Sequence, residues 1–142
     1  MQNYKNHLRL YPFHHFLITP LTLVLFVWSC VKLIHGNGSL ENRLFFLTFS
    51  FTLVLISFVA RIYATKNQDR IIRTEMRQRF FEITGKSFSA FEIKLKTGQI
   101  VALRFAGDDE LEALTNRAVS ENLSNKDIKL AIKNWRADEH RV

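Results

Sequence analysis

Between residues 10 and 60 the chain carries only three formal charges, Lys32, Glu41 and Arg43. Nothing else in its 142 residues narrows the folding choices as much. Residues 10–31 contain no Asp, Glu, Lys or Arg, and within residues 16–34 the sequence FLITPLTLVLFVWSCVKLI is apolar on every helical face. A helix needs about twenty such residues to cross the hydrocarbon core of a bilayer. After the polar turn HGNGSLEN, residues 44–60 give seventeen uncharged positions ended by Arg61, whose stem can reach the membrane interface. This predicts a second span near the short limit. Two buried helices of a soluble bundle would need a further layer of equally apolar partners, and the remaining chain offers none. A cleaved signal peptide is disfavoured because the apolar stretch is too long and no A-x-A-like site follows it; a lipoprotein site at Cys30 is disfavoured because bulky Trp28 precedes it and the apolar run continues.

Basic residues near the span ends set the expected orientation. Lys5 and Arg9 precede the first span, and Arg61, Lys66, Arg70, Arg73, Arg77 and Arg79 follow the second, whereas the connecting turn has only Lys32 and Arg43 at its ends. Both termini are therefore expected in the cytoplasm, with the tip at residues 36–39 outside. The net charge of +7 is mostly juxtamembrane: residues 61–86 hold seven basic and three acidic groups, and residues 87–142 hold nine of each. Each such Lys or Arg gains about 1 kcal/mol against anionic lipid, so the charge points to headgroups rather than to nucleic acid. The lone Cys30 excludes an internal disulfide and any CxxC metal site.

No Gly or Pro occurs in residues 39–84, which predicts that the second span continues as a cytoplasmic helix as far as Gly85, a good residue for ending it. Ile62, Ile72, Met76, Phe80 and Ile83 form its apolar stripe. Lys66, Arg70, Arg73 and Arg77 form a neighbouring basic one suited to lipid headgroups. Asp69 with Arg73 and Glu75 with Arg79 stand at the acid-first spacing of helical ion pairs. Residues 91–105 fit two templates, a hairpin turning at Thr97-Gly98 or a short helix with Thr97 as its N-cap. Asp108 is expected to open a helix that buries Leu111, Leu114 and Ala118. Ser124, with Asp127 three residues later, opens another in which Ile128, Ala131, Ile132 and Trp135 share a face. The module is too small to bury a strong core by itself and is expected to pack on the juxtamembrane helix or on a partner. The predicted class is an all-α membrane protein. Its parts are an arm (residues 1–15), a transmembrane hairpin (16–60, spans 16–34 and 44–60), a basic amphipathic helix (61–85) and a small module of short helices (86–142).

Tyr4-Lys5-Asn6-His7, Arg9, Pro12, His14-His15, Gln68-Asp69-Arg70, Leu103-Arg104-Phe105-Ala106, Asp109-Glu110-Leu111 and Ile132-Lys133-Asn134-Trp135 occur in that order. In this the chain resembles a bacterial family of small two-span inner-membrane proteins of unknown function, over essentially its whole length. The resemblance implies an inner-membrane location and a helix over residues 97–106, where the family has a proline-started helix. Gly98 departs from that proline and keeps the hairpin open. No activity, substrate or catalytic residue comes with the resemblance.

Three sets of residues are candidates for function. His7 and His14, seven apart, share a face if the arm is helical, and imidazole suits haem iron, zinc or copper; an aromatic anchor at the interface is the plainer role for His14 and His15. Asp69 either pairs with Arg73 or latches the arm through Arg9. Lys126, Lys129, Lys133 and Arg136 form a basic stripe opposite Ile128 and Trp135 that could meet phosphates. No nucleophile with an adjacent base, no phosphate-binding glycine loop and no H-E-x-x-H sequence appears. The expected function is thus a non-enzymatic membrane accessory, scaffold or assembly subunit, without cofactor, that binds another membrane protein or itself. Asp69, Arg73 and Trp135 are its expected interaction residues. Competing readings are a redox subunit with haem or metal on His7 and His14, and a membrane-tethered regulator that binds nucleic acid through Lys129 and Lys133.

Overall fold

The structure, a computed structural model, describes Tyr4 and residues 11–137. A π-helical turn (His14–Ile18) leads into α1 (Thr19–His35); then follow α2 (Leu40–Thr84), α3 (Ser89–Glu92), α4 (Thr97–Leu103), α5 (Leu111–Ser120) and α6 (Asn125–Ala131). No strand forms among the described residues; one isolated bridge joins Ala106 and Trp135. The chain divides into two compact units, one built on Leu10–Thr65 and the other on Lys66–Arg141, and α2 supplies residues to both.

In the first unit, His14–His35 and Leu40–Thr84 are each long and apolar enough to cross a membrane. The π-helical turn has a local cause. Pro20 has no N–H to give the carbonyl four residues back, and the helix widens ahead of it so that the Thr19 N–H donates to the His14 carbonyl five residues away. Hydroxyls donate into their own helices, Thr22 to Ile18 O, Thr48 to Leu44 O and Thr52 to Thr48 O, at 2.8–3.0 Å. These bonds satisfy the three hydroxyl donors without water. The two helices meet where Ser29 and Ser50 share a hydrogen bond of 2.7 Å, both buried, with Val54 and Ser57 continuing the seam of α2 at i+4 and i+7. Phe26 and Phe51 lie ring to ring at 5.6 Å, and Arg43 Nη1 donates to Leu33 O at 2.9 Å. Of the small residues suited to this seam, Ala60 lies outside it and is exposed.

In the second unit, α2 ends where the absence of Gly and Pro predicts, and Gly85 takes φ +67°, a conformation that costs glycine nothing. Ile72, Met76 and Phe80 of α2 join Phe88, Leu95, Ile100, Leu103, Phe105, Leu111, Leu114 and Ile128 in one buried core. Phe80 is the pivot, with the rings of Phe88 and Phe91 each 5.3 Å away. The stripes of the later helices are thus covered, by one another and by α2. Ile62 and Ile83 lie off the buried stripe and are exposed.

Residues 91–105 hold the end of α3, a turn and α4, with no strand, which excludes the hairpin. Lys96, not Thr97, is the N-cap of α4, and its N–H is held by Gln99 Oε1 at 2.6 Å. Gln99 Nε2 also donates to Leu123 O at 2.8 Å, tying α4 to the turn before α6. Ser124 caps α6 as its sequence predicts, accepting from the Asp127 N–H at 3.2 Å. Two boundaries differ from expectation. Asp108 does not open α5, which begins at Leu111, and α6 stops at Ala131, so Ile132 and Trp135 follow in extended chain rather than on the same helical face.

Candidate interaction sites

Three polar joints organise the second unit, and each depends on a charge whose partner is remote in sequence. In the first, α3 brings Glu92 against α2, where Arg73 Nη1 reaches Oε1 at 3.1 Å and Arg77 Nε reaches Oε2 at 2.6 Å. Arg73 Nη2 also donates to Thr97 Oγ1. The hydrogen bond from Arg77 holds the Glu92 carboxyl below its ordinary value against its partial burial, and Arg73 adds to the effect.

In the second joint, Arg79 Nε lies 2.7 Å from Asp108 Oδ1, while its Nη1 and Nη2 donate to the carbonyls of Arg104 and Ala106 at 3.0 and 2.6 Å. Arg136 Nη1 approaches the same Asp108 oxygen at 3.3 Å. The Asp108 carboxyl is lowered, chiefly by the hydrogen bond from Arg79. The planar guanidinium suits this task, since it directs several donors at once.

In the third, the Glu110 carboxylate accepts the backbone N–H groups of Lys133 and Asn134 at 2.9–3.1 Å, and Asn134 Nδ2 donates to Asp109 Oδ2 at 2.6 Å. The tail then runs back along the core, the Arg136 N–H donating to Phe105 O at 2.9 Å and the Trp135 ring lying 5.4 Å from that of Phe105. Gly107 permits the close approach: a Cβ there would stand 2.9 Å from Asn134 Cβ and 3.1 Å from its carbonyl oxygen. The sequences LRFA, DEL and IKNW, which carry the family resemblance, therefore meet in one place.

This geometry redistributes the residues expected to function. Asp69 is half-buried beside Ile72, but Arg73 has turned to Glu92 and Thr97 rather than to Asp69; the Arg9 alternative lies outside the described residues. Arg79 likewise leaves Glu75 for Asp108. In both cases a carboxylate on another element, able to take two donors, outcompetes a single exposed pair within the helix. Of the basic stripe, Lys66 and Arg70 stay exposed without a carboxylate partner among the described residues, while Arg73 and Arg77 are engaged by Glu92. Trp135 is half-buried and faces the core through Phe105.

The Lys126 to Arg136 stripe does not persist as one helical face, because α6 ends at Ala131. Lys129 lies over the Phe105 ring at 5.8 Å, and Arg136 is paired with Asp108. His14 Nδ1 shares a hydrogen bond with Thr19 Oγ1 at 3.0 Å, its ring lies 5.3 Å from that of His15, and the Nε2 atoms of both are buried without a partner. His7 lies outside the described residues. Among the described residues no group of three or more His, Cys, Asp or Glu is placed to hold a metal ion.

The joining roles of Glu92, Arg79, Asp108 and Glu110 escaped the sequence reading, because pairs fifteen to twenty-nine residues apart leave no periodic trace; only the run Asp108-Asp109-Glu110 marked the spot. Chemically, these joints neutralise carboxylates and fasten loops, and what they build is a shaped surface carried on α2. No curated protein and no solved structure matches the chain. Over residues 1–142 it matches a family model and so belongs to the family of unknown function DUF6526.

Proposed function

We propose that the chain is a non-enzymatic integral membrane accessory, scaffold or assembly subunit of the bacterial inner membrane, with both termini cytoplasmic, that binds another membrane protein or itself. One observation carries this reading: most large apolar side chains of the π-helical turn, α1 and the first half of α2 are exposed. Phe16 is 71% exposed, Ile34 72% and Phe45 62%. An apolar surface of that extent needs lipid or a partner against it. The helix that would cross the bilayer then provides Ile72, Met76 and Phe80 to the core of the cytoplasmic module, so a partner seated on the module is tethered to the membrane by the same helix.

Coverage of the later stripes within the module removes one expected motive for partnership, an apolar surplus on α5 and α6. Support comes instead from side chains that stay outside the core: Ile71, Phe81, Leu130 and, at 88% exposure, Ile93. Lys66 and Arg70 suit anionic headgroups beside them. Crosslinking in native membranes tests the reading. Reproducible adducts to one membrane protein, or to a second copy, that weaken in Ile93→Ser or Phe81→Ser support it. A chain that captures nothing and is monomeric in mild detergent contradicts it.

The buried, unpartnered Nε2 atoms of His14 and His15 favour a second reading, the haem- or metal-binding subunit expected of His7 and His14, with the group held near the start of the first span. A visible spectrum or bound metal in protein purified from its own host, lost in His14→Ala, supports it; colourless, metal-free protein contradicts it.

A further inference from the structure

At the tip of the hairpin a cavity of about 560 Å³ opens between the last turns of α1 and the first turns of α2. That volume is within the roughly 300–1,000 Å³ of small-molecule sites. Its lining is graded. Lys32, Asn37, Asn42 and Arg43 stand toward the tip, and Leu25, Trp28, Phe46, Phe49 and Leu53 form the walls further in, over a floor made by the Ser29–Ser50 pair. From Leu25 to Gly36 the groove follows α1 for about 16 Å, at 1.5 Å per residue.

The charge at the mouth is one-sided. Two cations line the cavity and no carboxylate does. Arg43 spends Nη1 on the Leu33 carbonyl, its Nε is buried without an acceptor, and neither Arg43 nor Lys32 has a carboxylate partner among the described residues. Lys32 is exposed in the last turn of α1, where its long stem can carry the ammonium to the mouth of the cavity at headgroup level. Two uncompensated cations above an apolar trough fit a molecule with one anionic end and one hydrocarbon end, oriented with the anion at the tip.

From this arrangement we infer that the tip cavity binds one anionic phospholipid, its phosphodiester between Lys32 and Arg43 and an acyl chain along Trp28, Phe46 and Phe49. The inference rests on the membrane reading above. It goes beyond that reading by giving the outward end of the hairpin a specific ligand, apart from the bulk headgroups that face Lys66 and Arg70.

The test uses the full chain in vesicles of equal phosphatidylglycerol and phosphatidylcholine. Resistance to alkaline carbonate extraction is scored first; protein that resists is taken into mild detergent, and its retained lipid is counted by native mass spectrometry. The expected result is one phosphatidylglycerol per chain. Retention falls about fivefold in Lys32→Gln, the worth of one Lys at a phosphate; it is kept in Lys32→Arg, falls in Phe49→Ala and is unchanged in Lys94→Gln, at an exposed residue of the second unit. Lys32→Gln is the primary variant, since Arg43 also ties the tip to Leu33. Release by carbonate overturns the membrane reading and this proposal with it. Integrated protein that retains no lipid, retains phosphatidylcholine equally or is indifferent to Lys32→Gln overturns the proposal alone. Displacement of the lipid by inorganic phosphate would instead assign the cations to a free anion and overturn the lipid.

Discussion

The guanidinium of Arg79, on α2, lies 2.5–2.7 Å from the Asp108 carboxylate, on the turn before α5, and closes the same turn through two backbone carbonyls. The Arg79 side chain is only 12% exposed, so these carbonyls depend on it rather than on water. Arg79→Ala is expected to destabilise the second unit by about 2–4 kcal/mol, the cost of stranding part-buried acceptors together with a charge-assisted bond. Arg79→Lys recovers only part, because an ammonium cannot reach three acceptors in a plane. Hydrogen exchange at the amides of residues 103–111 would report it, rising strongly in Arg79→Ala and less in Arg79→Lys.

Adjacent phenylalanines on α2 give a sharper contrast. Phe80 is fully buried between Phe88 and Phe91, whereas Phe81 is 61% exposed. Phe80→Ala is expected to cost about 3–5 kcal/mol through lost burial and the cavity left behind. Phe81→Ala should stay within about 0.5 kcal/mol. Thermal melts followed by helical circular dichroism measure both; equal effects would mean that the face of α2 turned to the core is misassigned.

Glu92 and Asp108 both titrate below the ordinary carboxylate range, each chiefly because an arginine donates to it. A depressed carboxyl contributes stability that is complete above its unfolded value, about pH 4, and is lost as pH falls through the lower folded value. The second unit should therefore loosen on acidification below about pH 4 and be indifferent to pH between 6 and 8 on account of these groups. Glu92→Gln and Asp108→Asn should each lower stability at pH 7 and flatten the acid limb. An acid limb that keeps its full slope in both variants would show that other groups set it.

The serine pair predicts a modest effect. Ser29→Ala or Ser50→Ala removes one interhelical bond of 2.7 Å, worth about 0.6–2 kcal/mol between helices in lipid. The resistance of the hairpin to unfolding in detergent should fall by that amount, and the double variant should cost little more than either single change.

Local signals foretold the backbone well. An uncharged run, an unbroken stretch ending at Gly85, and Ser124 with Asp127 placed α1, α2 and the start of α6, because each acts within a few residues. What the sequence hid was pairing across elements. Arg73 and Arg79 each had a carboxylate at helical spacing, and both turned to carboxylates that only the folded chain brings near. The π-helical turn before Pro20 and the end of α6 at Ala131 were likewise hidden, because each follows from where backbone N–H groups find acceptors. The tip cavity was visible only as two stray cations, Lys32 and Arg43, bounding an apolar hairpin.

The central claim is that the chain crosses the membrane twice with both ends in the cytoplasm, and single-cysteine labelling tests it most directly. In a Cys30→Ser background, Gly38→Cys, Lys66→Cys and Ala137→Cys are exposed in turn to a membrane-impermeant maleimide on intact cells and on inverted vesicles. The account predicts that position 38 reacts only from outside and positions 66 and 137 only from the cytoplasmic face. Labelling of all three from one face, or protein that stays in the soluble fraction, would contradict it.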